Sequence, residues 1–386
     1  MPSGHAKIKG MTQTSNSQRP AAHPRNPHAE LLPLPPEIAQ RAEGVELLDP
    51  TQAPAVRWGI LGAGWIGSVF AHDVAAYSSG IMEGVAARDP KRAEEFAEKF
   101  GVNRAFESYE ALLADPDIDV VYIAAIHPEH EKLAIQALEA GKPILVEKCF
   151  TMDAAGARRV VELARSKGLF CMEAMWTRHL PHQKVLTQIL RNGSLGAIST
   201  VFADHGQDLW NVQRMWDPQL GGGALLDLGV YSVSFVQQVL PDCEVVGSAG
   251  KLTELGVDVE NAVLLRTEDA TATATSNFNG RSATFGQVVC EKGTLEMPEQ
   301  FYRPTSLRLR VFSDPERDNG VITEWDGTVP GGFQYQAAEV ARCLAAGLTE
   351  SATMPLDDTI RVMELLDTVR EQLGVVYPWE KEGPRS

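Results

Sequence analysis

Residues 56–67 read Val56-Arg57-Trp58-Gly59-Ile60-Leu61-Gly62-Ala63-Gly64-Trp65-Ile66-Gly67. A short apolar run ends in Gly-x-Gly-x-x-Gly, and helical periodicity follows through Tyr77. The bare glycine pattern is a weak signal, and a tight turn with no ligand is its plainest reading. Set between a strand and a helix, it predicts a dinucleotide-binding turn. There the backbone approaches a pyrophosphate, and the helix N-terminus offers N–H groups and positive potential. Gly62, Gly64, Trp65, Ile66 and Gly67 are the residues expected at the cofactor.

Toward the C-terminus, strands are expected at Ile81–Ala87, Val120–Ile126, Ile144–Val146 and Leu169–Met172. Helices are expected at Pro90–Phe100, Ser108–Ala114 and Glu129–Ala140, and from an Asp153 cap to Lys167. This alternation builds an α/β, doubly wound parallel sheet. Past about residue 175 the pattern changes. Helices at Pro181–Arg191 and Ala224–Leu240 precede six candidate strands: Ala197–Ala203, Glu244–Leu252, Ala262–Arg266, Thr271–Phe278, Ala283–Cys290 and Leu307–Phe312. Long helices return at Phe333–Ala346 and Asp357–Leu373. An α+β domain with a large open, mainly antiparallel sheet is expected, with helices on one face. The bare face asks for a partner, and a homodimer supplies one.

The chain thus divides into a tail (1–52), a nucleotide-binding domain (53–174) and a substrate-binding and dimerisation domain (175–386). Pro20, Pro24, Pro27, Pro33, Pro35 and Pro36 exclude the tail from the core. Its start is basic and Ser/Thr-bearing without an apolar signal core. A transit peptide shares that composition, but a disordered tail, or translation from Met11, is the simpler reading. No apolar run approaches the roughly 18 residues of a membrane span. The five cysteines are odd in number and scattered, which fits a reducing, cytoplasmic setting. A net charge of -16 argues against nucleic acid or anionic membrane as partner and requires a local cationic pocket for any anionic cofactor.

Such a pocket is expected at Ala86-Ala87-Arg88-Asp89-Pro90-Lys91-Arg92. An arginine at the tip of the second strand favours the 2′-phosphate of NADP, and an acid there favours NAD. Arg88 and Arg92 point to NADP; Asp89 leaves NAD possible. Chemistry is expected after the buried strand that runs into Glu147-Lys148-Cys149. A second element reads Gly221-Gly222-Gly223-Ala224-Leu225-Leu226-Asp227-Leu228-Gly229-Val230-Tyr231. Asp227 and Tyr231 share one helical face among apolar neighbours, where polar groups require partners.

With these motifs, together with His127-Pro128-Glu129-His130 and Glu173-Ala174-Met175-Trp176-Thr177-Arg178, the sequence from Val56 onward resembles the Gfo/Idh/MocA oxidoreductases. The resemblance implies a Rossmann domain, a C-terminal sheet domain and oxidation of a sugar or vicinal diol. It also implies Lys148 and Tyr231 as the catalytic pair, with Asp227 beside them. One departure stands out: the family's Glu-Lys-Pro is Glu-Lys-Cys here, so Lys148 is expected on an ordinary trans backbone.

A free tyrosine titrates near 10, a poor base at neutral pH. A Lys148 ammonium nearby is expected to lower the Tyr231 pKa, with Tyr231 as acid/base, Lys148 as its electrostatic partner, or these roles exchanged. Asp227 would orient Lys148 or substrate. His127, His130 and Glu147 are expected near the cofactor, although a backbone-satisfied His130 is equally expected. Trp176, His205 and Tyr302 are the substrate-pocket candidates, ahead of Trp210 and Trp216, and core packing competes for each. Arg178 reads equally as structural. The pairs His127/His130 and His179/His182 lack further ligands, so no metal is expected. The resulting reading is an NADP-dependent dehydrogenase of sugars or vicinal diols. The alternatives are an NADPH-dependent ketosugar reductase using the same residues and a non-catalytic dinucleotide sensor.

Overall fold

In the computed structural model, which describes residues 31–313 and 320–381, the first ordered element is a short helix, α1 (Pro36–Arg41). The exclusion of residues 1–52 from the fold is corrected over residues 31–52; the part before residue 31 lies outside the described residues. A proline at the first helical position costs no hydrogen bond and is already set for the helix. Ile38, two residues on, is completely buried. Backbone contacts fasten the segment: the Trp325 indole N–H donates to the Leu32 carbonyl at 2.9 Å, and Asn192 Nδ2 donates to those of Arg41 and Glu43 at 2.9 and 3.0 Å. Ile38→Ala should therefore cost about 2 kcal/mol or more in urea unfolding. An unchanged midpoint would return the segment to the tail.

The first sheet comprises β1 (Arg57–Leu61), β2 (Ile81–Ala86), β3 (Arg104–Phe106), β4 (Val120–Ile123), β5 (Ile144–Glu147) and β6 (Cys171–Ala174). Its order is β3-β2-β1-β4-β5-β6, and every pairing is parallel. Strand order reverses between β1 and β4, which opens a crevice beyond their carboxyl ends. The crossovers are α2 (Trp65–Tyr77), α3 (Pro90–Phe100), α4 (Tyr109–Ala114), α5 (His130–Glu139) and α6 (Ala154–Lys167). Local chemistry sets their ends. Asp89 accepts from the Lys91 N–H at 3.1 Å and Asp153 from that of Gly156 at 2.7 Å, while Gly101 and Gly168 close α3 and α6 at φ +68° and +62°. The three-residue β3 is too short to show a period and is absent from the sequence reading.

The second domain contains α7 (Pro181–Arg191), β7 (Ile198–Gly206), α8 (Val230–Val239), β8 (Glu244–Leu252), β9 (Asp258–Arg266), β10 (Thr271–Asn277), β11 (Gly286–Cys290), β12 (Gly293–Met297), β13 (Leu307–Val311) and β14 (Val321–Trp325). After them come α9 (Phe333–Ala345), α10 (Leu356–Leu373) and α11 (Pro378–Lys381). The sheet order is β14-β13-β12-β11-β7-β10-β9-β8; only β7 and β10 run parallel. Along β10, Ala272, Ala274 and Ser276 are buried while the threonines between them are not, as a sheet covered on one face requires. Helices α8 and α10 supply that cover. The expected single helix at 224–240 begins instead as a π turn over Leu225–Gly229, in which the Val230 N–H reaches the Leu225 carbonyl, and only then becomes α8. Such wide turns concentrate at functional sites.

Candidate active site

At the end of β1 the chain turns at Gly62 with φ +115°, and a Cβ there would lie 2.6 Å from the Ala124 carbonyl oxygen. Only glycine permits this approach, which brings the turn against the end of β4. Helix α2 then starts with no side chain capping it, so its first N–H groups are free for an anion. Trp65 is 69% exposed at that point, Ile66 is half-buried and Gly67 buried. Arg92 Nη2 donates to the Ala63 carbonyl at 3.3 Å, which places a guanidinium at the glycine turn. Arg88 is exposed, two residues beyond Ala86, whose carbonyl accepts from the Gly62 N–H at 2.9 Å, and the Asp89 carboxylate is engaged in capping α3. The closeness required of Gly62 and the uncapped helix start fit a bound dinucleotide.

Strand β5 delivers Glu147 and Lys148 into the crevice. The Lys148–Cys149 peptide is cis, which corrects the trans expectation. Lys148 Nζ donates to the Asp227 carbonyl at 2.6 Å and to its Oδ1 at 3.3 Å. The same ammonium lies 4.9 Å from the centre of the Tyr231 ring. The residue types paired by sequence therefore meet, from two different domains.

Asp227 has a second partner that the sequence reading missed. Arg214 grips it with a fork, Nη1 to Oδ1 at 3.0 Å and Nη2 to Oδ2 at 3.2 Å. Burial alone would raise the Asp227 pKa, but Lys148, Arg214 and His127 overcome it and hold the carboxyl well below the usual range. The close approach of Gly222 makes the fork possible: a Cβ there would stand 2.6 Å from the Arg214 carbonyl. His127 Nε2 lies 3.8 Å from Asp227 Oδ1, and burial pushes this imidazole well down, toward the neutral form. His130 is fully buried between the carbonyls of Cys149 and Ala125, at 2.8 and 3.1 Å. It braces the ends of β4 and β5.

The expectation that Lys148 lowers the Tyr231 pKa is overturned. The ammonium faces the ring rather than the hydroxyl. Burial, followed by the nearby Glu147 carboxyl, pushes the phenol well above 10. Trp176 Nε1 donates to Tyr231 Oη at 3.1 Å. Glu147 is itself pushed up to about 7 by burial. It accepts from the Tyr122 hydroxyl, and from the Lys148 N–H at 3.2 Å.

The substrate candidates converge on Tyr231. His205 stacks on Tyr302 with ring centres 4.3 Å apart and lies 5.0 Å from Tyr231, while Tyr302 lies 5.5 Å from Tyr231. Trp176 stacks on Phe333 at 4.5 Å. Burial, and then Lys148, push His205 down to about 3, so this imidazole is neutral. Trp210 and Trp216 stand apart, packing edge-on at 4.2 Å near Phe278; they anchor the loop that carries Arg214. Arg178 is structural: buried, it reaches Ser234, Gln237 and Asp358. Of the functional residues missed, Arg214 had no motif, and Tyr122 showed only as a phenol inside the apolar run Val120-Val121-Tyr122-Ile123.

A Rossmann sheet, a free helix start and a buried Lys–Asp–Tyr cluster define a nicotinamide-dependent oxidoreductase. Residues 56–175 match the oxidoreductase family with the NAD-binding Rossmann fold, and residues 184–296 match the GFO/IDH/MocA C-terminal domain. The chain belongs to the GFO/IDH/MocA oxidoreductases, and it is a dehydrogenase acting on CH–OH groups. It is 35% identical over 336 residues to the trans-1,2-dihydrobenzene-1,2-diol dehydrogenase of Bos taurus, an alignment covering 85% of this chain and 99% of that one. The Homo sapiens enzyme of the same name is 34% identical over 342 residues, with the same coverages. Among solved structures, a 3-ketoreductase from Actinomadura kijaniata in complex with NADP and TDP-benzene superposes with a TM-score of 0.74 at 26% identity, over 83% of this chain and 98% of that one. A levoglucosan dehydrogenase shares the fold, with a TM-score of 0.74 at 19% identity over 83% of this chain and 98% of that one.

Proposed function

We propose that the protein moves a hydride between NADP and a secondary alcohol or hemiacetal carbon of a sugar or vicinal diol. The observation that carries this reading is the Lys148 ammonium, held by Asp227 and lying against Tyr231, whose ring adjoins His205, Tyr302 and Trp176. When bound, the nicotinamide supplies the hydride acceptor or donor. The chain supplies the rest. Lys148 holds the substrate oxygen and stabilises negative charge developing on it. Tyr231 exchanges the hydroxyl proton. Asp227, clamped by Arg214, keeps the ammonium in place. Trp176, His205 and Tyr302 offer flat surfaces to a ring and exclude water. The identity to diol dehydrogenases supports the substrate class.

A second reading uses the same residues in the opposite direction, as a ketosugar reductase. Burial keeps Tyr231 protonated, the form that gives a proton to a developing alkoxide, and the 26% identity to a 3-ketoreductase supports this direction. For NADP, the support is Arg88 and Arg92 beside the glycine turn, with Asp89 occupied as a cap. The glycine turn, Arg88, Arg92, His127 and Glu147 would hold the cofactor, with His130 acting through the loops it braces. A cytoplasmic homodimer is the proposed form. All five cysteines are free and buried, and Val246, Leu264, Val321 and Ile322 lie exposed on β8, β9 and β14. No helix among the described residues is long and apolar enough to cross a membrane.

Absorbance of reduced nicotinamide, followed over a panel of aldoses, ketoses and vicinal diols with NADP and NAD in parallel, tests both points. Turnover on at least one member is expected, with NADP favoured in kcat/KM. Arg92→Ala should cut the NADP:NAD ratio about tenfold. An unchanged ratio removes the cofactor preference. Tight NADPH binding without turnover of any member would favour a sensor.

A further inference from the structure

Two residues past β6, the Trp176 indole donates from Nε1 to the Tyr231 hydroxyl oxygen at 3.1 Å, and both residues are only 8% exposed. The segment that leads into α9 builds a seat for this indole. One ring face stacks on Phe333, centres 4.5 Å apart and planes 25° from parallel, and Tyr302 meets it edge-on at 6.3 Å. Gly332 runs alongside at φ +148°; a Cβ there would collide with Cζ3 of the indole and lie 2.9 Å from Cε3. Only glycine leaves room for the ring at that backbone angle. The Gly332 N–H donates to Gln334 Oε1 at 2.6 Å, Gln334 Nε2 to the Pro330 carbonyl at 2.8 Å, and the Phe333 N–H to Asp73 of α2 at 3.4 Å. The seat is thus tied to the helix that opens at the glycine turn.

An indole N–H donates and never accepts. It occupies a lone pair of the phenol oxygen and leaves the phenol's own proton to another partner. Among the described residues no group accepts that proton, so it is left for the oxygen of a ligand. The bond also responds to charge: a hydrogen bond to an ionised acceptor is roughly twice as strong as one to a neutral acceptor. The indole therefore favours phenolate, against the burial and the Glu147 carboxyl that keep the phenol protonated.

We propose that Trp176, seated by Gly332 and Phe333, is the positioning residue of proton transfer: its N–H turns the Tyr231 proton toward the substrate oxygen and stabilises the phenolate left when that proton goes. This rests on the dehydrogenase reading. In reduction the carbonyl carbon gains the hydride, its oxygen takes the phenol proton, and the negative charge stays on Tyr231 beside the indole. Oxidation runs the same exchange backwards, the phenolate taking the hydroxyl proton as the carbon gives up its hydride. A stabilised phenolate serves both directions: the phenol is a stronger acid, and more of the base is present at neutral pH.

Replacing Trp176 by 3-benzothienylalanine, which has the same shape with sulfur in place of the N–H, tests it on the best substrate of the panel. We expect kcat to fall about tenfold or more, with substrate KM and NADPH affinity near wild type. In a Tyr231→Phe background the same replacement should change the residual kcat by less than about twofold, because the two residues act as a unit. Gly332→Ala, which keeps the N–H but displaces the ring, should reproduce the loss. An unchanged kcat on losing the N–H, or an equal fall with and without the Tyr231 hydroxyl (the mark of a packing role), overturns the proposal. Absence of turnover in wild type is instead the failure of the dehydrogenase reading. The indole signal then decides the contact by itself, in protein carrying 15N-labelled tryptophan and assigned by its loss in Trp176→Phe. A signal that moves upfield in Tyr231→Phe upholds the hydrogen bond, and one that stays in place overturns it.

Discussion

Tyr231→Phe and Lys148→Met should each lower kcat by about 100- to 10,000-fold, with NADPH expected to bind at near-normal affinity. The phenylalanine keeps the ring against Lys148 and removes only the hydroxyl to which Trp176 donates. The methionine keeps a flexible chain of similar length and removes the charge. Steady-state kinetics with fluorescence titration of NADPH reads both effects, and wild-type-like turnover in both variants would end the catalytic assignment. The pH profile adds a sign. Burial holds the Tyr231 phenol well above 10, so the phenolate that accepts a proton is scarce at neutral pH. Its population grows about tenfold per pH unit below the pKa. Oxidative kcat/KM should therefore climb from pH 7 to 10, and the reductive rate, which uses the protonated phenol, should stay flat. An oxidative profile that does not rise would exclude Tyr231 as the proton acceptor.

Asp227→Asn should be nearly as damaging, by a different route. The carboxylate is 8% exposed and faces Lys148 and Arg214. Neutralising it leaves two cations facing each other with no counter-charge. Breaking a buried pair in this way costs about 3–5 kcal/mol, with the lower end expected because the Arg214 side chain is a third exposed and partly screened by water. Urea unfolding should show that loss, and kcat should fall as Lys148 loses its hold. Because the folded-state pKa is depressed, this stabilisation is fully present above the ordinary carboxylate range and lost as pH falls below it. The wild type should therefore show an acid sensitivity that the asparagine variant lacks. A milder outcome is expected for Arg214→Ala, with partial rescue by Arg214→Lys. Unchanged stability and turnover in Asp227→Asn would show that the cluster holds nothing in place.

Much of this arrangement is legible in the order of amino acids alone. The glycine turn after an apolar strand, the Asp89 and Asp153 caps and the period-two run Thr271–Thr275 are local signals, and the chain obeys them. Lys148 and Tyr231 could be paired from motif likeness, and Trp176, His205 and Tyr302 meet around them. What escaped was non-local or too short. Arg214 is a loop cation whose meaning depends on Gly222 letting two backbones touch. The short strands β3, β12 and β14 are fixed by their neighbours rather than by their own pattern. Proline counting misjudged residues 31–52, because a helix can begin with proline, and a buried Ile38 together with hydrogen bonds from Trp325 and Asn192 docks it. The direction of the Tyr231 shift was missed for a related reason: sequence places a cation nearby but does not say whether it faces the hydroxyl or the ring.

The π turn at Leu225–Gly229 has a consequence for how this site tolerates change in chain length. A wide turn holds one residue more than the regular coil around it, and each residue advances an α-helix by about 100°. Deleting one position there would restore an ideal helix and swing Asp227 away from Tyr231's side of the axis, with every reactive side chain still present in the chain. The phasing of this segment is thus as much a part of the proposed chemistry as the lysine and the phenol that meet there.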